Sequence, residues 1–320
     1  MREFPRPRIV LSRCLELEAC RYDGGIIRDD FVRRLLAHVE VIAVCPELEL
    51  GLGVPRPPAR VVREGETLRL LQPDAGRDLT SSMTDFAHHF LSSLPAVDGF
   101  LLKSRSPSCG WRDVKVYGSG NSAPARAPGF FGGAVLQRFP SHPVEDEGRL
   151  RSFRIREHFL TSIFTRADFR YVLADGSPRA LVDFHSRNKY LFMAYHQTLL
   201  KAMGRLVAGQ TRRSFADTVD QYQPLLHRLL ERPPRVGSYI NVLMHQMGYF
   251  SPHLSGAEKE FFLDALQQYR QGRVPLSVPL ALIRAMVSRF DEPYLRTQTL
   301  FEPFPPDLVD IADSGKGRER

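Results

Sequence analysis

The sequence has no long apolar run, no paired cysteine knuckle and few lysines. No stretch approaches the ~18 uncharged apolar residues that a membrane-spanning helix needs, and the first residues lead into no apolar segment of a secretory signal. The absence of a Cys-x-x-Cys pair disfavours a zinc knuckle, and no glycine-rich dinucleotide or flavin fingerprint occurs. Lysine occurs six times, so 38 of the 44 basic residues are arginine. We therefore expect a cytoplasmic protein that does not cross a membrane.

The length and composition are those of two globular domains. The chain has 320 residues, and domains average ~150 residues. Apolar residues make up 43% of the chain and charged residues 25%, which is the ordinary composition of a folded protein. We predict one domain at residues 1–145 and a second at 150–312, joined by the acidic, proline-broken segment 139–148 and followed by a disordered tail at 313–320.

The first domain is predicted to be α/β, because apolar strand-like runs alternate with helix-like segments. The runs span 7–12, 39–44 and 99–104, and the helices between them span 29–38 and 80–94. This alternation is typical of a parallel, Rossmann-like sheet, in which ligands bind beyond the carboxyl ends of the strands. Segment 118–133 is rich in glycine, proline and alanine and is predicted to be a loop.

The second domain is predicted to be all-α, because apolar residues recur at spacings of three and four. The predicted helices span 151–164, 177–208, 214–231, 236–249, 255–271 and 278–290. Ser255 and Glu258 fit a capping box at the start of one of them. His196 and His245 are interpreted as helix histidines rather than as metal ligands.

Four cysteines lie within the first 109 residues, and three of them follow a predicted strand within a few residues. Cys14, Cys45 and Cys109 are therefore expected to meet at one edge of the sheet. A disulfide framework is disfavoured in a cytoplasmic chain with a large core, whereas buried structural thiols and zinc remain alternatives. Three isolated thiolates suit an iron–sulfur cluster better, with one iron left without a protein ligand. Cys20 is interpreted as a buried structural thiol.

The net charge of +8 is concentrated in one segment. Residues 151–235 carry 15 basic and 7 acidic side chains, whereas the segments before and after it are close to neutral. Clustered arginine attracts polyanions and releases their counterions, which indicates a phosphate-binding face. A solvated, arginine-rich helical surface is the alternative. The candidate phosphate ligands are Arg179, His185, Arg187 and Lys189.

Three cysteine-bearing segments carry a family resemblance. They read SRCLELEACRYDG at 12–24, CPELELGLGVPR at 45–56 and LKSRSPSCG at 102–110. In this order they resemble the TudS-like thiouracil desulfidase family over residues 1 to about 140. Three later segments resemble the helical domain that is fused to this module in RudS-type desulfidases: FHSRNKYLFMAY at 184–195, NVLMHQMGYF at 241–250 and QTLFEPFP at 298–305.

The resemblance implies that Cys14, Cys45 and Cys109 hold a [4Fe–4S] cluster. It also implies an enzyme that removes sulfur from 4-thiouridine in tRNA by hydrolysis, without net electron transfer and with release of sulfide. Iron is thiophilic, so its coordination polarises the C–S bond. Glu47 is the expected general acid or base, and Ser106 is expected to hydrogen-bond the base or the water. The other expected pocket residues are Ser12, Arg21, Tyr22, Asp23, Arg56, Lys103 and Ser104.

Two alternative functions and one departure from the family pattern accompany this interpretation. The first alternative is a desulfidase of free thiouracil or other small thiolated bases, in which the helical domain serves dimerisation or regulation. The second is a non-catalytic RNA-binding protein stabilised by zinc or an iron–sulfur cluster. Leu17 stands where stand-alone desulfidases usually carry a glycine, which predicts a differently shaped pocket. A tRNA substrate further requires that the target base be extruded to reach the cluster.

Overall fold

A computed structural model describes residues 3–118, 125–209 and 214–310. The chain forms two compact units: an α/β unit, made of Met1–Ala167 and Phe304–Arg320, and a helical unit, Asp168–Pro303. The expected fold class, a parallel α/β region followed by an all-helical one, is confirmed. The acidic segment 139–148, predicted to connect the domains, lies within the α/β unit. The predicted tail at 313–320 lies outside the described residues.

The strands belong to the α/β unit. In chain order they are β1 (Arg8–Ser12), β2 (Glu40–Val44), β3 (Arg60–Glu64), β4 (Thr67–Gln72), β5 (Arg77–Asp78), β6 (Gly99–Leu101), β7 (Val114–Tyr117), β8 (Ala125–Ala127) and β9 (Val144–Glu145). One sheet has the order β2-β1-β6-β9 and is parallel throughout. Its central strand β1 is apolar on both faces, with Ile9, Val10 and Leu11 fully buried, as expected of a covered parallel sheet.

A second sheet, which the sequence analysis missed, has the order β5-β4-β3-β7-β8 and is mostly antiparallel. Only one of its faces is buried: Val114 and Val116 point into the core, and the residues that alternate with them are exposed. Strands of this kind are short and rich in charge, so they carry little of the continuous apolar signal that reveals β1 and β2.

The helices of the α/β unit are α1 (Asp30–Leu36), α2 (Pro46–Glu49), α3 (Thr80–Ser93), α4 (Phe130–Arg138) and α5 (Phe153–Asp175), and α5 continues into the helical unit. The predicted helices at 29–38 and 80–94 are confirmed as α1 and α3. The prediction of a loop throughout 118–133 is wrong at β8 and where α4 begins, and positions 119–124 lie outside the described residues. Helix α5 belongs largely to the α/β unit because Phe159, Ile163 and Phe164 pack with Leu11 in its core.

The helical unit contains α6 (Pro178–Arg187), α7 (Lys189–Tyr195), α8 (Gln197–Ala208), α9 (Phe215–Leu229), α10 (Val236–Met247), α11 (Gly256–Arg270), α12 (Ser277–Phe290) and α13 (Pro293–Arg296). The prediction of one helix over 177–208 is wrong, because two polar residues break it. The buried amide of Asn188 donates to Phe184 O at 2.9 Å, and the ring of His196 caps α8 by accepting from Leu199 N. The capping box of Ser255 and Glu258 is confirmed.

No helix within the described ranges is both long and apolar enough to span a bilayer.

Candidate functional site

The parallel sheet brings three cysteines to one cavity. Cys14 lies two residues after β1, Cys45 directly follows β2, and Cys109 lies in the loop after β6. Because β1, β2 and β6 run parallel and in register, their carboxyl ends lie at the same edge of the sheet. All three cysteines line a cavity of about 570 Å³ at that edge. The convergence expected from the strand pattern is therefore present in the structure.

The environment of these thiols is dry, and a carboxylate lies close to them. Burial raises the pKa of Cys14 and of Cys45 to about 12, and the charge of Glu47 contributes to both shifts. Burial also raises the pKa of Cys109 well above its ordinary value, and the nearby Glu47 and Cys14 add to this effect. Thiols of this kind are protonated at neutral pH in the absence of a cation, and a bound metal takes the place of those protons.

Cys20 lines the same cavity as the other three cysteines. Its side chain is 1% exposed, and its carbonyl oxygen lies 3.9 Å from Cys45 Sγ. All four cysteines are free thiols. Among the residues that the structure describes, no group of three or more His, Cys, Asp or Glu side chains is arranged around a single metal-ion position. The structure thus places Cys20 at the site without assigning it a role.

Glu47 stands beside the cysteines at the start of α2. Its Oε2 lies 3.7 Å from Cys45 Sγ and 3.9 Å from Arg56 Nη2. Arg56 is itself buried and donates to Gly53 O at 3.0 Å. The Glu47 carboxylate is therefore held between a thiol and a fixed guanidinium. Glu47 is also the one carboxylate among the described residues that line the cavity.

Ser106 and Ser12 organise the loop that carries Cys109. Ser106 Oγ accepts hydrogen bonds from the backbone amides of Ser108 at 3.2 Å and Cys109 at 3.1 Å. Ser12 Oγ accepts a hydrogen bond from Lys103 N at 2.9 Å, just upstream of that loop. Both serines line the cavity, so they are placed to meet a ligand as well as to shape the loop.

Glu147 was not predicted, yet it fixes two of the predicted pocket residues. Its carboxylate accepts from Lys103 Nζ at 2.6 Å and from Ser104 Oγ at 2.6 Å. Although burial alone would raise it, the ammonium group of Lys103 and the hydrogen bonds from Ser104 hold the pKa of Glu147 below its usual range. The ion pair with Lys103 joins residues 44 positions apart in the sequence, and no local sequence motif predicts it.

Not all of the residues that were predicted to line the pocket do so. Arg21 and Tyr22 line the cavity, whereas Asp23 does not. Asp23 accepts from Gly25 N at 3.0 Å and pairs with Arg21 at 3.4 Å, which is a turn-forming role. Leu17 is exposed and lies outside the lining, so nothing in the structure links it to the shape of the pocket.

The cavity is far more basic than the sequence of its domain suggests. Within the described part of the chain, six cationic side chains and one carboxylate line it: Arg21, Arg56, Arg60, Lys103, Arg105 and Lys115 against Glu47. Arg60 and Lys115, together with Tyr117, come from the second sheet, which the sequence analysis missed. The alternation of Val114, Lys115, Val116 and Tyr117 is the signal from which that strand was predictable.

The four candidate phosphate ligands of the helical unit have different surroundings. Arg179 is exposed and 3.9 Å from Asp183. Arg187 is bound to Asp168 at 2.7 Å, and Lys189 lies over the rings of two tyrosines. Burial lowers the pKa of His185 to about 4, and its ring bonds Tyr222 at 3.1 Å. His185 is therefore neutral at pH 7, which does not suit phosphate binding.

Two family models match separate parts of the chain. The model described as 2-thiouracil desulfurase matches residues 9–147, and the one described as a protein of unknown function, DUF1722, matches residues 189–305. Escherichia coli K12 YbgA, described as uncharacterized, is 31% identical over 164 residues, covering 51% of this chain and 96% of YbgA. Bacillus subtilis 168 YbbK, also described as uncharacterized, is 30% identical over 131 residues, covering 36% of this chain and 86% of YbbK.

A solved structure titled [4Fe-4S]-dependent thiouracil desulfidase TudS is 32% identical, with a TM-score of 0.37, and covers 45% of this chain and 93% of that one. The fold and the cavity define a protein with a thiol-lined site at the strand ends of a parallel α/β sheet. The chain belongs to the 2-thiouracil desulfurase family, with a DUF1722 domain in its helical part.

Proposed function

We propose that this protein is an iron–sulfur-dependent desulfidase whose substrate is 4-thiouridine in tRNA. The observation that carries the proposal is the convergence of Cys14, Cys45 and Cys109 on one cavity at the strand ends. The family to which the α/β unit belongs supports the reaction class, the removal of sulfur from a thiolated pyrimidine. The hydrolytic mechanism and the tRNA substrate are the steps that the proposal adds.

The donor set of the cavity fits a [4Fe–4S] cluster. Cluster irons are held by cysteine thiolates, and three cysteines from three strand ends line this cavity, while no histidine is among the described lining residues. Cys14, Cys45 and Cys109 would hold the cluster. When bound, the group supplies a thiophilic Lewis acid that polarises the C–S bond of the substrate.

Glu47 and Ser106 supply the proton chemistry around that position. Glu47 lies 3.7 Å from the Cys45 thiol and is held by Arg56, so its carboxylate is placed to take a proton from an attacking water. Ser106 Oγ already accepts two backbone N–H bonds, which leaves its hydroxyl proton to be donated into the cavity. A donor there can bind the ring carbonyl or nitrogen of a pyrimidine.

The charges of the cavity favour a substrate that carries phosphate. Of the six cations among its described lining residues, Arg60, Arg105 and Lys115 have no acidic partner in the described part of the chain. The other three are paired: Arg21 with Asp23, Arg56 with Glu47 and Lys103 with Glu147. An uncharged free base needs no unpaired cations. The helical unit adds 17 basic and 12 acidic residues at 168–303. A base in folded RNA must leave its stack to enter a cavity, and a phosphate-binding surface would hold the RNA meanwhile. Free thiouracil is the second candidate substrate, which the description of the matched family favours.

The test is anaerobic reconstitution with iron and sulfide, followed by incubation with thiolated tRNA and, separately, with 4-thiouracil. We expect loss of 4-thiouridine with matching gain of uridine in digested tRNA. Cys45→Ser should lose bound iron and activity together. Cys20→Ser alters another buried cysteine of the same cavity and serves as the matched comparison, with iron retained. Conversion of neither substrate by iron-loaded protein contradicts the proposal, and conversion of the free base alone supports the second candidate.

A further inference from the structure

We propose that the exposed face of the second sheet binds the nucleotides that flank the target base in an RNA strand. We call this surface the sheet-face patch and define it by Arg60, Lys115, Tyr117 and Arg126. The inference rests on the proposed function, because it assigns the substrate class of the same cavity. Arg60, Lys115 and Tyr117 line the cavity mouth, whereas Arg126 lies outside the lining. The patch therefore extends from the cavity onto the open surface.

Strand register places three cations of the patch in one row. Lys115 on β7 pairs directly with Arg126 on β8. On the other side of β7, Val116 pairs with Val61, so the residues immediately before them, Lys115 and Arg60, are also neighbours. All three cationic side chains are exposed. Adjacent strands lie ~4.8 Å apart, so the row is about 10 Å long.

No acidic side chain of the described ranges neutralises this row. Like charges opposite one another on a sheet are destabilising, and elsewhere on the same sheet Arg69 is paired with both Glu64 and Asp78. In contrast, no carboxylate among the described residues pairs with Arg60 or Lys115. Arg126 donates to a backbone carbonyl, that of Asp113, at 3.0 Å. An uncompensated row of cations is the electrostatic footprint of a phosphate-binding surface.

Two exposed aromatic rings are among the residues that line the cavity. Tyr117 is 42% exposed, with the guanidinium of Arg60 at 5.3 Å from its ring centroid. Tyr22 is 46% exposed, with Arg21 at 5.7 Å. Exposed tyrosine beside arginine is the combination on which unpaired bases stack in single-stranded RNA. The two rings thus offer stacking positions for bases next to the one that enters the cavity.

Arg105 is a further exposed cation among the residues that line the cavity. It lies in the segment that carries Ser106 and Cys109, and its backbone has φ of 57°. A non-glycine residue in this left-handed region is strained, and such residues cluster at ligand sites. The Arg105 side chain is exposed, lines the cavity and has no acidic partner within the described part of the chain.

The length of the cation row favours a strand over a single nucleotide. A nucleoside monophosphate has one phosphate group, which can bind one or two of the cations that line the cavity. A row of about 10 Å that continues past the cavity to Arg126 suits successive phosphates of a chain. We therefore assign the patch to RNA whose target base is inserted into the cavity.

The test measures RNA binding by the full-length, cluster-free protein, so that it does not depend on activity. The probe is a short uridine-rich RNA oligonucleotide carrying fluorescein, followed by anisotropy over a range of salt concentrations. The double variant Arg60→Ala/Lys115→Ala should bind about tenfold or more weakly at low salt. The slope of log affinity against log salt should fall by roughly 0.7 for each phosphate that the variant no longer binds.

Two further variants make the test decisive. Arg63→Ala removes an exposed arginine from the same strand outside the cavity lining, and it should bind within twofold of wild type. The charge-conserving variant Arg60→Lys/Lys115→Arg should keep most of the affinity. The fluorescence of the single tryptophan, Trp111, reports whether the α/β unit of each variant is folded.

Three outcomes overturn the assignment: unchanged RNA binding by the double alanine variant, an equal loss in Arg63→Ala, or competition by uridine monophosphate as effective as that by unlabelled oligonucleotide. The proposed desulfidase reaction is judged separately, on conversion of 4-thiouracil by iron-loaded wild-type protein. The patch can therefore fail while the reaction stands, and the reaction can fail while the patch stands.

Discussion

At the scale of single residues, Glu47 combines a position beside the cysteines with a fixed orientation. Its carboxylate contributes to the raised pKa of Cys14, Cys45 and Cys109, so it opposes formation of their thiolates. If the only role of this residue were to help the cysteines bind a cluster, a carboxylate would be a poor choice, because its charge disfavours the thiolates that the cluster needs. The placement makes sense if the carboxylate acts on a proton of water or substrate.

We predict that Glu47→Gln lowers kcat by about 10²–10⁴-fold, the usual contribution of a general acid or base. Bound iron should stay at the wild-type level or rise, because removal of the negative charge favours the thiolates. The measurement is iron per chain and turnover of 4-thiouracil on the same reconstituted sample. A loss of iron in proportion to activity would assign Glu47 to assembly instead.

A second residue-scale prediction concerns Glu157 on α5, away from the cavity. Burial raises the pKa of its carboxyl from about 4.5 to about 7, only partly offset by Arg156. The native state therefore binds this proton more tightly than the unfolded state, and the contribution of Glu157 to stability is highest below pH ~4.5 and falls as pH rises to ~7. The full loss is about 3 kcal/mol at pH 8, because each pH unit between the two pKa values contributes about 1.4 kcal/mol.

Glu157→Gln should remove this pH dependence. In urea unfolding, the variant and wild type should have similar free energies of unfolding near pH 5, and the variant should be the more stable one at pH 8. A constant difference across this range would mean that Glu157 does not titrate within it.

The site residues that sequence reasoning found share a local signal, and those that it missed do not. Cys14, Cys45 and Glu47 lie at or just after strand ends, so the strand pattern places them. Glu147 reaches Lys103 and Ser104 from more than 40 residues away, and only the completed sheet brings it there. His185 follows the same rule: its lowered pKa comes from burial by the tertiary fold, which a run of basic residues does not reveal.

At the scale of elements, α4 holds the Cys109 loop. The amides of Gly129, Phe130 and Gly132 donate to carbonyl oxygens of Gly110, Pro107 and Ser108, at 2.7, 3.1 and 3.0 Å. These bonds use the free N–H groups of the first helical turn. A Cβ at position 132 would lie 2.7 Å from Cys109 O and still closer to Gly110 O. Only glycine therefore permits this approach.

We predict that Gly132→Ala destabilises the α/β unit by about 1–3 kcal/mol through overpacking and lowers retention of iron. Gly133→Ala is the matched control, because a Cβ there meets Pro128 at an ordinary 3.5 Å. Trp111 fluorescence during urea unfolding and iron content after reconstitution measure the two effects. Equal behaviour of the two variants would show that the close approach is not required.

The same scale explains which elements were predictable. Three strands of the parallel sheet, β1, β2 and β6, were found because they are continuous apolar runs, and β1 and β6 are buried on both faces. The two-residue strand β9 was missed, because it lies in the segment predicted to connect the domains. The second sheet buries one face only, and its strands carry Arg60, Lys115 and other charges that resemble loop sequence. The segment 177–208 keeps a helical period across its breaks, and the breaks depend on Asn188, whose Oδ1 accepts from Thr299 at 2.6 Å.

At the scale of the whole molecule, the structure divides the basic residues between the two units differently from what their count along the sequence suggests. The excess in 151–235 suggested that phosphate binding belongs to the helical domain alone. The structure assigns residues 151–167, with four arginines and one glutamate, to the α/β unit. It also gathers six cations around the cavity of a unit whose first 150 residues are nearly neutral. The α/β unit therefore holds a share of the basic residues that the sequence count assigned to the helical domain alone.

This distribution predicts that salt separates the two candidate substrates. Each bound phosphate releases counterions, so kcat/KM on thiolated tRNA should fall steeply between 50 and 200 mM salt, by roughly 20- to 40-fold for three bound phosphates. Free 4-thiouracil carries no phosphate, so its kcat/KM should change less than about twofold. Both substrates are assayed with one reconstituted sample, so that any effect of salt on the cluster is common to both. If kcat/KM depended on salt equally for the two substrates, the protein would recognise only the base, and the result would favour a desulfidase of small thiolated bases.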